Sequence, residues 1–154
     1  MRRPGRPGLS IAAVCLAALL LGLCESDARP LLPRLRVIVD QFPLDVEVAA
    51  SPETRQRGLQ YRSALPPEGG MLFAYPDSDY RSFWMQNVFL PVDVAFFDER
   101  RLLLEVRTVA ADAAETIVSR EEARYVLVTN AGWFERNWIR RFAALKLPHP
   151  ITAF

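Results

Sequence analysis

The residues best placed to do chemistry lie in and near one apolar stretch, Phe83 to Phe97. Gln86, Asn87 and Asp93 interrupt it, and Trp84 stands beside them. Polar side chains in such a setting cost free energy unless hydrogen-bonded, so the stretch is either a polar-pinned turn between core strands or the wall of a site. Asp93 follows Leu90-Pro91-Val92 and precedes Val94-Ala95-Phe96-Phe97. As a candidate catalytic residue it would be a partly desolvated carboxylate fit for acid–base work. As a structural residue it would accept backbone N–H groups from the Gln86–Leu90 turn and pin it. Trp84, Gln86, Asn87 and Asp93, with Arg62, form the candidate ligand-binding set: an aromatic face for a sugar ring or peptide, with hydrogen bonds at its rim. The other aromatics, Trp133, Trp138, Tyr61, Tyr75, Tyr80 and Tyr125, read as core.

Several chemistries are excluded or weakened. His149, between Pro148 and Pro150, is the single histidine, and both cysteines, Cys15 and Cys24, lie near the N-terminus. Cys–His catalysis and Cys/His zinc or copper sites therefore have no residues to use. Ser–His–Asp chemistry would depend on that proline-flanked tail histidine. Lys146 is the single lysine, and no glycine-rich phosphate loop precedes it. Asp77 and Asp79 read as a turn rather than a calcium site. We expect no metal and no cofactor. Paired carboxylates for glycoside hydrolysis are also missing: Asp98, read as continuing the strand of Asp93, falls on its opposite face.

Residues 1–28 read as a secretion signal. Arg2, Arg3 and Arg6 precede an uncharged run from Leu9 to Leu23, and Ser26-Asp27-Ala28 offers a cleavage site. The run is shorter than the roughly 20 residues a membrane span needs. Lipid attachment at Cys24 is an alternative, disfavoured by Leu23 before it. Cleavage near Ala28 gives a periplasmic or secreted chain with no membrane span and no cysteine. Basic residues fall from 19 to 16 and acidic ones from 18 to 16, so the net charge is near zero. Nucleic-acid binding needs a basic surplus, which is missing. The local clusters Arg55/Arg57/Arg62 and Arg136/Arg140/Arg141 read as solvated faces.

The elements that must position these residues are short. Residues 29–43 read as an extended leader and first strand, 44–147 as the domain, and 148–154 as a tail. Alternation at Leu44, Val46 and Val48 marks a strand with one wet face. Ser51-Pro52-Glu53 starts a helix that Gly58 closes. Further strands are expected at Met71–Tyr75, stopped by Pro76, and at Ser82–Met85, Val92–Phe97, Leu102–Val109 and Tyr125–Thr129. Ala110–Thr116 reads as loop. Asn130 is expected to cap a helix running to Arg136. Residues 138–147 show no clean period. The pattern predicts a mainly β, compact single-domain sandwich or barrel with two or three short helices.

Five blocks carry a family resemblance: Arg57-Gly58-Leu59-Gln60-Tyr61-Arg62, Gly70-Met71-Leu72-Phe73, Phe83-Trp84-Met85-Gln86-Asn87, Pro91-Val92-Asp93-Val94-Ala95-Phe96, and Tyr125 through Trp133. In order and spacing the chain resembles the family called domain of unknown function 192. The resemblance implies a compact β-sandwich or barrel with short helices, and no settled activity. Gln86, Val88 and Thr129 stand where the family pattern has Lys, Thr and Glu, so a charged pair at positions 86 and 129 is absent here. The function expected is a non-catalytic binding or accessory module for a carbohydrate, cell-wall fragment or peptide. The alternative is a carboxylate-dependent hydrolase or isomerase using Asp93.

Overall fold

A computed structural model describes residues 31–154; the expected secretion signal, its cleavage near Ala28 and the alternative lipid attachment at Cys24 lie outside the described residues. The chain is mainly β. Strands β1 (Arg34–Val39) and β2 (Phe42–Ala49) form a hairpin that turns at Asp40, whose φ is 59°. Val37 and Val39 of β1 and Leu44 and Val46 of β2 are buried on one face. On the other, Arg36 lies opposite Asp45 and Arg34 opposite Glu47, making cross-strand ion pairs at 3.5 and 3.8 Å. This is the half-wet alternation legible in the sequence.

Helix α1 (Pro52–Arg57) follows, with a capping box between Ser51 and Thr54. It crosses to β3 (Gly69–Asp79), which runs parallel to β2. The remaining strands are β4 (Ser82–Trp84), β5 (Val92–Phe97), β6 (Leu103–Val109), β7 (Thr116–Val118), β8 (Ala123–Asn130) and β9 (Leu145–Lys146), with helix α2 (Trp133–Arg136) between the last two. Seven strands form one sheet in the order β6-β5-β8-β3-β2-β1-β9, and β4 pairs with β7 as a separate ribbon. The large sheet curls until its ends meet. Leu102 bridges Ala144, Leu103 N–H donates to Ala143 O (2.9 Å), and Leu145 N–H donates to Arg101 O (2.8 Å).

The central strands β3, β5 and β8 are buried on both faces, which explains their unbroken apolar runs. Met71, Phe73, Val94, Phe96, Val126 and Val128 belong to one cluster; Phe83 of β4 packs against it, and Ile117 of β7 belongs to it. Leu72, Ala95, Phe97 and Leu127 belong to the other, which Trp133 and Phe134 of α2 complete. Both clusters and the sheet closure are made within residues 31–154, so this span carries its own core.

Four expectations need correction. β3 does not stop at Pro76; it continues to Asp79 through a register irregularity after Ala74, where proline's missing donor is tolerated. Thr116 is not loop but opens β7, a strand too short to show alternation. Asn130 does not cap α2: Gly132 sits at the cap position, and Asn130 Nδ2 donates to Pro66 O at 2.8 Å. Asp98 lies beyond the end of β5, and its carboxylate accepts Leu102 N–H at 2.7 Å to close the β5–β6 turn.

Candidate functional site

A pocket of about 290 Å³ opens between α1 and the β4–β7 ribbon. Its wall is built from Gly58, Phe73, Tyr75, Phe83, Trp84 and Met85, with Gln56, Arg57 and Gln60 among the other lining residues. The sequence folds this way locally because Gly58 turns the chain off α1 at φ 46°, a conformation that favours glycine. Its missing side chain also leaves room for the ring of Phe73, which a Cβ would meet at 3.3 Å. Phe83 points inward and stands edge-on to Phe73 (5.0 Å between centroids) and to Phe96 (6.1 Å). Alternation along β4 then turns Trp84 outward, and it is 60% exposed at the pocket edge.

Tyr75 is the electrostatic centre of this region. The Arg81 guanidinium lies 3.9 Å from its ring centroid and that of Arg55 4.8 Å away. Both cations are held in place by carbonyls: Arg55 donates to Ala50 O and Ala74 O at 2.7 and 2.9 Å, and Arg81 Nε donates to Ala123 O at 2.8 Å. Burial raises the Tyr75 hydroxyl above the usual phenol range, opposed by the two guanidiniums. The hydroxyl therefore stays protonated at neutral pH and can donate a hydrogen bond. Arg81 also pairs with Asp77 at 2.8 Å, which lowers the Asp77 carboxyl. Arg57 is exposed at the mouth and pairs with no acidic side chain among the described residues.

The residues expected from sequence to bind ligand are not brought together. Trp84 lines the pocket; Gln86, Asn87, Arg62 and Asp93 do not. Gln86 is exposed. Asn87 is a turn residue at φ 63°; its N–H donates to Asp112 Oδ1 (3.0 Å) and its carbonyl accepts Tyr61 N–H (2.6 Å). Arg62 makes a two-pronged ion pair with Glu47, and that bond, more than the nearby charges, holds the Glu47 carboxyl below the usual range. Neither Arg62 nor Arg55 is therefore a solvated surface charge, contrary to the expectation for that cluster.

Asp93 is 1% exposed and faces away from the pocket, on the side of Ala95 and Phe97. Its Oδ1 accepts the Thr108 hydroxyl at 2.7 Å and its Oδ2 accepts Phe134 N–H at 3.3 Å. The pinning expected of it falls on the start of α2, not on the Gln86–Leu90 turn. Thr129 lies directly opposite Asp93 across the β5–β8 pair and is fully buried. A second carboxylate there would face Asp93, and threonine avoids that repulsion.

Sequence reasoning missed Tyr75, Arg81, Gln60 and Phe73 as parts of one site. Arg57 and Gly58 were visible in one block of the family pattern, but nothing in their spacing linked them to Tyr75. No group of three or more His, Cys, Asp and Glu side chains among the described residues could hold a metal ion.

The family pattern DUF192, described as an uncharacterised ACR, matches residues 36–146. The chain belongs to the DUF192 family. It is 31% identical to a protein of Sinorhizobium meliloti 1021 described as a candidate transcription regulator, with a TM-score of 0.69, over 74% of this chain and 92% of that one. A protein of unknown function from Novosphingobium aromaticivorans DSM 12444 shares the fold at a TM-score of 0.72 and 24% identity, over 77% of this chain and 89% of that one. No curated protein matches the chain. In this chain the α1–β4 pocket is lined by residues from four of the five blocks that carry the resemblance: Arg57 to Gln60, Phe73, Phe83 to Met85, and Val128.

Proposed function

We propose that this DUF192 protein is an exported, non-catalytic binding or accessory module whose ligand seats between α1 and β4. The observation that carries the reading is Trp84, an exposed aromatic face at the edge of a pocket with an apolar floor of Phe73, Phe83 and Met85. Buried aromatic floor and polar rim are the usual make-up of a small-ligand site, and about 300 Å³ is the lower end of such pockets. Arg57, Gln56, Gln60 and the protonated Tyr75 hydroxyl offer hydrogen bonds around that floor. A sugar unit, a cell-wall fragment or a peptide side chain with polar flanks matches this distribution.

The alternative, a hydrolase or isomerase with Asp93 as base, draws less support. Both Asp93 oxygens are engaged inside the fold, and the pocket does not reach them.

A thermal-shift screen of residues 29–154 against sugars, muropeptides and peptides tests the proposal. A ligand at about 100 times its dissociation constant adds about 2.7 kcal/mol to stability. We expect a hit that Trp84→Ala abolishes. A hit indifferent to Trp84→Ala places the ligand elsewhere and removes the proposal.

A further inference from the structure

The loop between α2 and β9 sets two large aromatics where backbone geometry favours glycine. Ile139 N–H donates to Phe134 O and Trp138 N–H to Glu135 O, both at 3.0 Å, the paired bonds of a Schellman helix end. Trp138 therefore occupies the left-handed position of that motif, at φ 54°. Ala143 N–H then donates to Arg140 O at 3.0 Å, closing a turn whose third residue, Phe142, is at φ 69°. Glycine is the usual occupant of both positions. Burial does not compensate: Trp138 is 76% exposed and Phe142 60% exposed. Ile139 instead packs inward and anchors the loop.

Each exposed ring has an arginine over it. Arg140 lies 5.8 Å from the Trp138 centroid and Arg141 4.8 Å from that of Phe142. From Arg136 to Phe154 the chain carries Arg136, Arg140, Arg141 and Lys146 and no acidic residue. Glu121 is the acidic side chain that contacts the loop, pairing with Arg141 at 2.6 Å. On the adjoining β5–β6 turn, beside the 142–145 segment, Asp98 and Glu99 offset Arg100 and Arg101, so the positive surplus is that of the 136–154 segment itself.

We propose that the Trp138–Phe142 loop is a docking surface for an anionic phospholipid membrane, with Trp138 and Phe142 entering the interfacial layer and Arg140 and Arg141 meeting lipid phosphates. Charge complementarity selects an anionic partner. The shape selects a bilayer over a folded protein: the rings project from a turn and line neither the α1–β4 pocket nor the groove beside His149. Amphipathic rings and arginines at one level are the pattern that settles at a lipid–water boundary, with the aliphatic stem of arginine covering apolar surface and its head in the phosphates. The energy is that of a peripheral, salt-sensitive contact rather than an insertion.

Residues 31–154 are mixed with phosphatidylcholine vesicles, with and without phosphatidylglycerol, and sedimented. We expect partition to the anionic vesicles about tenfold above the neutral ones, falling with added salt. Trp138→Gly/Phe142→Gly should lose about tenfold of that partition while its Tm holds or rises, because glycine relieves both left-handed positions. Arg140→Gln/Arg141→Gln should remove the preference for anionic lipid. Equal partition to the two vesicle types overturns the proposal. So does full binding by the double-glycine variant. Capture by soluble heparin with no vesicle binding also overturns it, and assigns the loop to a dissolved polyanion.

Discussion

Asp93 on β5 and Phe134 on α2 are 41 positions apart and joined by a buried hydrogen bond, Oδ2 to N–H at 3.3 Å. The same carboxylate takes the Thr108 hydroxyl through Oδ1. A short helix of four residues, with no side-chain cap of its own, is thereby anchored by an acid from the sheet it packs against. The bond uses the positive end of the helix, where a carboxylate is favoured. Asp93→Ala leaves two donors unpaired inside the fold, and we expect a loss of about 2–3 kcal/mol. Asp93→Asn keeps one acceptor and should cost about 1 kcal/mol. Urea denaturation reads both; an Asp93→Ala midpoint equal to the wild type contradicts the anchoring role.

Glu47 and Arg62 form the principal part-buried ion pair of the outer face of β2, with side chains 17% and 25% exposed. The folded Glu47 pKa is lowered from 4.5. A depressed carboxyl contributes stability that is complete above the unfolded value and lost as pH falls through the folded one. Stability should therefore drop below about pH 4.5, and Glu47→Gln should flatten that drop. Arg62→Ala, which leaves Glu47 with only the more distant Arg34, should cost about 1–3 kcal/mol at neutral pH, and the Arg62→Ala/Glu47→Gln double variant less than that. If the double variant is the weaker of the two, the pair is not acting as an ion pair.

Tyr75 should be distinguishable among the four tyrosines of the chain. Its raised folded pKa means the native state holds its proton longer than the unfolded chain does, so this contribution to stability is present at neutral pH and fades as pH rises past about 10. A spectrophotometric titration should show a phenol step above the usual range, and Tyr75→Phe should delete that late step. A Tyr75→Phe profile that loses an ordinary step instead would mean the ring is solvated.

Gly70 lies against the neighbouring strand: a Cβ there would come within 2.5 Å of Val128 O. Gly70→Ala must force β3 and β8 apart at the centre of the sheet, and we expect about 2–3 kcal/mol of destabilisation by thermal unfolding. A change under about 0.5 kcal/mol would show that the strands part freely at this point.

The fold was legible wherever burial leaves a period in the chain. β2 shows alternation because one face carries Asp45 and Glu47, and α1 shows Ser51, Pro52 and Gly58 at its ends. β7 and β9, of three and two residues, are too short for any period and depend on partners far along the chain. The site was only partly legible for a similar reason. Trp84 stood out as an aromatic beside polar residues, and the structure keeps it at the pocket edge. Gln86, Asn87 and Asp93 stood out on the same ground, but Gln86 is exposed, Asn87 holds a turn through its backbone at a positive φ, and Asp93 is an internal anchor. Tyr75, Arg55 and Arg81 meet only because β3, α1 and the start of β4 converge, and no local spacing announces that convergence.

The pocket itself is tested most directly by an NMR titration of residues 31–154 with muropeptides, sugars and short peptides. Amide shifts should move at Gly58 to Gln60, at Tyr75 and at Ser82 to Met85, and Trp84→Ala should abolish the change while leaving Tm within a few degrees, since the ring is exposed. Shifts confined to the groove of Pro33, Val48, His149 and Ile151, or none with any of these ligands, would contradict a binding site between α1 and β4.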